Sequence, residues 1–203
     1  MTVLAAIFDA FGTLIKISGG THPYRKLLKL GIEQGRRPQA SDAENLLSFP
    51  MDLRQAADFF GIDVNPGIMN QLEANLQTEL NTMQAFPDGI AVVEALQSVG
   101  IKVIVCSNLA LPYSSAIERL YPTLDGHAYS FSVGAIKPSP KIYSCAIQLA
   151  SALPNEAWMI GDSKRCDCDA PTKYGIRGFY LDREGYEGYR TLYQFAEELL
   201  SKR

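Results

Sequence analysis

Four short segments of this chain are apolar almost without interruption: VLAAIF (residues 3–8), IKVIVC (101–106), AWMI (157–160) and GFYL (178–181). Runs of this length, without polar alternation, are the pattern of strands buried on both faces, as in a parallel sheet. AYSFSV (128–133) is a weaker fifth candidate. Helical patterns lie between them. In DGIAVVEALQSVG, Asp88 is placed to cap a helix and Gly100 to end it, with Ile90, Val93 and Leu96 on one face. In SPKIYSCAIQLA, Ser139 is a candidate N-cap and Pro140 suits the first helical position. Strands alternating with helices specify an α/β fold with a parallel sheet.

Residues 17–84 break that rhythm and hold helix signals without a convincing strand. Ser41 and Glu44 fit a capping box. Asp52 can cap LRQAADFF, which Gly61 ends, and Asn65-Pro66 opens a longer helix with Ile68, Leu72, Leu76 and Leu80 spaced by four. The segment reads as an all-helical insertion placed directly after the first strand. Residues 1–16 and 85–203 then form the core, closed by a helix over TLYQFAEELL. A chain of 203 residues suits one domain carrying such an insertion.

Composition excludes several classes. Hydrophobic residues make up 47% and charged residues 20%, an ordinary globular balance. A net charge of -3 argues against a general nucleic-acid binder. No apolar run approaches about 18 residues, so no membrane span is expected, and no secretory signal is evident. Cys106, Cys145, Cys166 and Cys168 have neither the spacing of a disulfide framework nor a second pair to complete a zinc site. Reduced thiols in the cytoplasm are the expectation.

Polar residues gather where the expected strands end. Asp9 follows the first run, Ser107 and Asn108 follow IKVIVC, Lys137 lies shortly after AYSFSV, and Asp162 follows AWMIG with Asp167 five residues on. Ligands of open parallel sheets bind beyond the carboxyl ends of the strands, near the switch point. All four sites can converge there.

DAFGTL, SN, KP and GDSKRCD occur in that order. They resemble the four motifs of the haloacid dehalogenase superfamily of aspartate-nucleophile hydrolases, and the helical block at 17–84 sits where that superfamily places its helical cap. The resemblance covers nearly the whole chain. It implies a Rossmann-like core, with Asp9 as a nucleophile that forms a covalent intermediate. It implies Mg²⁺ held by Asp9, Asp162, Asp167 and the backbone carbonyl of Phe11, the hard oxygen donors this ion prefers. Ser107 and Lys137 would hold phosphoryl oxygens, while Thr13 and Asn108 shape the loops around them. Asp169 reads as a helix cap, and His22 and His127 as structural or surface residues. Tyr143 reads as core. Arg25, Lys26 and Lys29 read as a solvated helix face, with Arg25 reaching into the site as the alternative.

Phe11 stands where phosphatase members carry an aspartate that protonates the leaving oxygen and then activates water. Such a group contributes ~10²–10⁴-fold, so Phe11 implies weak activity on alkyl phosphates. Aryl and acyl leaving groups need no proton. DAFGTL is also similar to the DAYGTL of 2-haloacid dehalogenases, which need no metal and whose halide departs unprotonated. Their last motif, however, resembles S-x-N-x-W-D, whereas GDSKRCD adds carboxylates that demand a cation. A non-catalytic phospho-ligand or partner-binding protein is the third alternative. Pro171, where Ala is commoner, must fall in the first turn of a helix starting near Asp167. The expectation is therefore a Mg²⁺-dependent hydrolase of a small phosphorylated metabolite, with no nucleic-acid or membrane partner. The residues carry no signal of oligomeric state.

Overall fold

The first apolar run becomes β1 (Ala5–Phe8), with all four residues buried. In the computed structural model, which describes residues 2–17 and 19–202, β1 is the central strand of a sheet. It is flanked by β4 (Lys102–Ser107), β5 (Gly126–Tyr129), β6 (Ala157–Gly161) and β7 (Arg177–Tyr180). The order is β5-β4-β1-β6-β7 and every pairing is parallel. Ile7 lies opposite Ile104 on one side and Met159 on the other. Side chains alternate across the strands. Ala6, Phe8, Val105 and Ile160 enter one apolar cluster, while Ala5, Ile7, Ile104 and Met159 enter the second. Helices cover both faces, which is why these strands show no polar alternation in sequence.

The first face packs against α5 (Pro87–Ser98) and α10 (Leu192–Ser201), through Val92, Leu96, Phe195 and Leu199. Phe8 meets Phe195 edge-on with ring centroids 5.6 Å apart. The second face packs against α8 (Pro140–Ala150) through Ile142, Tyr143 and Ala146. Each such fully buried side chain contributes ~1.5–3 kcal/mol. The chain runs outward from β1 to β4 and β5, then crosses back to β6 and β7. The switch point therefore lies at β1, and Asp9 is the first residue past its end.

A two-stranded antiparallel ribbon, β2 (Ile15–Lys16) with β3 (Gln84–Ala85), marks where the chain leaves the sheet and returns. Between them lie α1 (Pro23–Glu33), α2 (Asp42–Ser48), α3 (Leu53–Phe60) and α4 (Pro66–Thr82), with no strand among the described residues. Asp52 caps α3 in a reciprocal box with Gln55, and Gly61 ends it in the left-handed conformation. Ser139 caps α8. No described helix is long and apolar enough to cross a membrane, and the four cysteines are free.

Local expectations differ at several places. Only Ala128 and Tyr129 of AYSFSV are strand; Ser130–Val133 turns into the short helix α7, and Ser130 Oγ donates to Leu47 O at 2.6 Å. The Ser41 side chain makes no cap; Asp42 instead accepts from Gln39 N and pairs with Arg36. Ile68 and Ile90 are exposed, because α4 and α5 bury narrower stripes than their sequences offer. Lys164–Asp169 is a π-helical segment capped by the Ser163 side chain. It runs into α9 (Ala170–Lys173), and Asp169 makes no side-chain cap. Pro171 is accepted in the first turn of α9, where its missing N–H costs nothing.

Asp88 lies inside the first turn of α5 rather than capping it, and is buried. Its carboxylate accepts from Arg183 at 2.9 and 3.1 Å and from Leu192 N at 2.9 Å. Arg183 follows β7 and donates also to Gly12 O and Thr13 O, with its guanidinium 3.9 Å from the Phe86 ring centroid. One ion pair thus ties α5, α10 and the loop after β1 together. Removing one partner of a buried pair costs about 3–5 kcal/mol. Arg183 keeps a fifth of its side chain in water, so Arg183→Met is expected to lower stability at the lower end of that range and Asp88→Asn less, measured as urea midpoints against wild type.

Candidate active site

The loop after β1 is folded by its own backbone. Leu14 N and Ile15 N both donate to Ala10 O, and Gly12 N donates to Ile15 O. Gly12 sits at φ 78°, and a Cβ there would collide with the Asp162 carboxylate; only glycine satisfies both demands. Asp9 N donates to Ile160 O, which pins the aspartate beside β6.

Three neighbouring strand ends deliver the remaining groups. Ser107 is the last residue of β4 and is buried. Asn108 spends both ends of its carboxamide on the Lys137 backbone: Lys137 N donates to Oδ1 at 2.7 Å, and Nδ2 donates to Lys137 O at 3.1 Å. That clamp aims Lys137 Nζ inward, where it donates to Asp9 Oδ1 at 2.7 Å and Asp167 Oδ1 at 2.6 Å. Lys137 is 4% exposed and Asp167 0%. Asp167 is held in turn by Ser163 N at 2.9 Å, and its carboxylate fills the space a Cβ at Gly161 would need. Tyr143, buried in α8, donates to Cys166 O at 2.5 Å and steadies the π-helical segment. Thr13 is fully buried, and its hydroxyl has no hydrogen-bond partner.

Asp9, Asp162 and Asp167 each place a carboxylate oxygen within 4.8 Å of the others. Three carboxylates against the single Lys137 ammonium leave an excess of two negative charges, that of one divalent cation. Burial, reinforced by Asp9 and Asp167, pushes the Asp162 carboxyl up to about 6. Burial and the charge of Asp9 outweigh Lys137 and bring Asp167 up to about 6. Asp162 is the exposed member, so solvent screens part of its shift. Burial alone would lower Lys137; the two carboxylates beside it reverse this and hold it well above the ordinary lysine value. A hard-oxygen donor set with surplus negative charge fits Mg²⁺.

Phe11 stands between two clefts. One, of about 550 Å³, reaches Asp162, Lys16 and Arg183. The other, of about 250 Å³, opens toward the helical insertion. Arg25 is exposed and lines this second cleft, as does His22, whereas Lys26 and Lys29 line a groove between α1 and α4. His127 is partly buried beside Tyr129, away from the cluster. Sequence reasoning passed over Glu79, a buried carboxylate on α4 that also lines the second cleft. Its one signal is a charge in the buried stripe of a helix, three residues after Leu76 and one before Leu80.

The model of the haloacid dehalogenase-like hydrolases matches residues 3–175. The chain belongs to this family. Its members are hydrolases by description, and the solved structures similar to this one agree in fold. A haloacid dehalogenase-like phosphatase from Thermococcus onnurineus is 23% identical, with a TM-score of 0.68 over 100% of this chain and 99% of that one. A family enzyme from Bacteroides thetaiotaomicron in complex with magnesium and inorganic phosphate is 16% identical, with a TM-score of 0.62 over 91% and 96%. The L-2-haloacid dehalogenase RSc1362 is 15% identical, with a TM-score of 0.63 over 98% and 100%. No curated protein matches the chain significantly.

The raised carboxyls set a pH dependence. A carboxyl whose folded pKa lies above its unfolded value adds stability below about pH 4 and loses it as pH rises through about 6. Metal-free protein is therefore expected to lose thermal stability across that window relative to Asp162→Asn. Mg²⁺ is expected to raise the Tm clearly at pH 7.5 and little at pH 4.5; an equal rise at both would deny the cluster its role.

Proposed function

We propose that this hydrolase is a Mg²⁺-dependent phosphatase acting on a small phosphorylated metabolite through an aspartyl-phosphate at Asp9. The observation that carries this reading is the meeting of Asp162 and Asp167 with Asp9, a surplus of negative charge that would repel the carboxylate of a haloacid. Asp9, Asp162, Asp167 and the Phe11 carbonyl would hold the ion. Bound there, it supplies neutralisation of the charge between the nucleophile and a phosphate dianion.

Lys137 already spans Asp9 and Asp167, so its ammonium can hold a phosphoryl oxygen while orienting the Asp9 carboxylate. Ser107 holds a second oxygen from the end of β4. Asn108 clamps the loop of Lys137, and Thr13, whose carbonyl accepts from Arg183, helps shape the loop of Asp9. An Asp9 oxygen bonds to phosphorus as the bond to the leaving oxygen breaks, and the leaving group departs with the electron pair. Water then attacks phosphorus, releasing inorganic phosphate and the Asp9 carboxylate. Phe11 can neither protonate the leaving oxygen nor activate that water. The reading therefore restricts substrates to those whose leaving groups are stable as anions. Helices α1–α4 would serve as the cap, closing over the Asp9 loop to exclude water. Four free cysteines suit a reducing cytoplasm. Phe11 also favours a second reading, metal-independent dehalogenation, because halide needs no proton.

Acetyl phosphate hydrolysis is expected to require Mg²⁺ and to vanish with chelator and in Asp9→Asn. Halide release from 2-chloropropionate that survives chelator, without acetyl phosphate turnover, would establish the dehalogenase instead. Neither turnover would leave a binding protein. Phe11→Asp is expected to raise glycerol phosphate hydrolysis by about 10²-fold, the lower end of what a positioned acid/base contributes; an unchanged rate would show that position 11 does not limit the reaction.

A further inference from the structure

The second cleft beside Phe11 has a composition that selects among phosphate esters. Its walls are Phe11, Tyr24, Leu46, Leu109, Ala110 and Tyr113. Phe11 meets Tyr113 edge-on at 5.9 Å, and Tyr113 lies 6.3 Å from Tyr24 between centroids. Most of the polar groups that reach this cleft are already committed. The Tyr24 hydroxyl donates to Met51 O at 3.0 Å, and the Tyr113 hydroxyl donates to Glu79 Oε1 at 2.9 Å. Glu79 Oε2 accepts from the Thr21 hydroxyl, Thr21 N and His22 N. Both ends of the Asn108 carboxamide are taken by Lys137. Among the described residues that line the cleft, polar side chains without such partners are those of His22 and Arg25, both exposed.

A sugar or polyol buried here would leave hydroxyls unpaired, each costing ~1–3 kcal/mol. An apolar ring costs nothing of that kind and gains from leaving water. The volume, about 250 Å³, is just below the ~300–1,000 Å³ of ordinary ligand sites and suits one ring. Phe11 independently demands a leaving group that needs no proton, and a phenol is such a group.

Resting on the phosphatase reading, we propose that this cleft seats the leaving group of a monocyclic aryl phosphate and discriminates against sugar and polyol phosphates. The Tyr113–Glu79 bond, which joins the segment after β4 to α4, holds one wall of the cleft in place across the core and the helical insertion.

Turnover alone mixes this preference with leaving-group reactivity, so the test uses inert phosphonates. Calorimetric titration with Mg²⁺ present compares benzylphosphonate with 2,3-dihydroxypropylphosphonate. Benzylphosphonate is expected to bind at least about tenfold more tightly. Leu46→Trp, which fills the cleft, is expected to erase the difference, and Ala110→Leu to reduce it; the second variant keeps the test readable if the first fails to fold. Equal or tighter binding of the polyol, or a preference untouched in a folded variant, would overturn the proposal. If acetyl phosphate is still hydrolysed in that case, the phosphatase reading stands and only the leaving-group assignment falls. Absence of both phosphonate binding and acetyl phosphate turnover would remove the reading beneath and this one with it.

Discussion

Lys137 is held 2.7 Å from Asp9 and 2.6 Å from Asp167 with almost no water around it. A buried ammonium is tolerable only because carboxylates meet it, and buried carboxylates are tolerable only because it meets them. The stalemate is unbalanced, since Asp162 adds a third negative charge at the same place. Everything at the carboxyl edge of the sheet is organised to hold that imbalance still. Asn108 clamps the Lys137 backbone, Ser163 N fixes Asp167, and glycines at 12 and 161 leave room for the carboxylates. Such strained electrostatics cost stability in the absence of a ligand. On the proposed phosphatase reading, that cost is offset when a cation and an anionic substrate arrive together.

A second network supports the first without touching it. Arg183 carries the charge of Asp88 and at the same time satisfies the carbonyls of Gly12 and Thr13. The loop bearing Asp9 is thereby tied to α5 and to the segment after β7. Preorganisation of this kind gives fixed charges their value, because nothing must be reordered when charge develops. Phe11 is set in this rigid loop with its ring against Tyr113. It gives both adjoining clefts an apolar wall, and under the proposed reading that wall stands in place of acid/base chemistry.

The motif residues were legible because strand ends are legible: short apolar runs stop where a polar residue must face the switch point. Asp9, Ser107 and Asp162 could be placed in this way, and helices α3 and α4 could be read from the caps Asp52 and Asn65. Legibility failed where a local signal had a distant competitor. Asp88 looked like a cap, but Arg183, 95 positions away, claims its carboxylate. Ser130 looked like strand, but its hydroxyl is drawn to Leu47 of the helical insertion. Glu79 gave almost no signal, since its partners are Thr21, His22 and Tyr113, none within a helical turn of it.

The amino-acid sequence by itself determined the parallel α/β core, the helices that follow its first strand and the identity of the charged groups past the strands. These depend on periodicity and capping, which act over a few residues. Only the tertiary structure decided that Lys137 bridges two carboxylates, that Arg183 braces the Asp9 loop, and that most polar side chains around the Phe11 cleft already have hydrogen-bond partners. Those outcomes depend on which side chains meet across more than twenty positions of chain. Burial then decides their energies, because a charge or hydroxyl removed from water must take whatever partner the fold supplies.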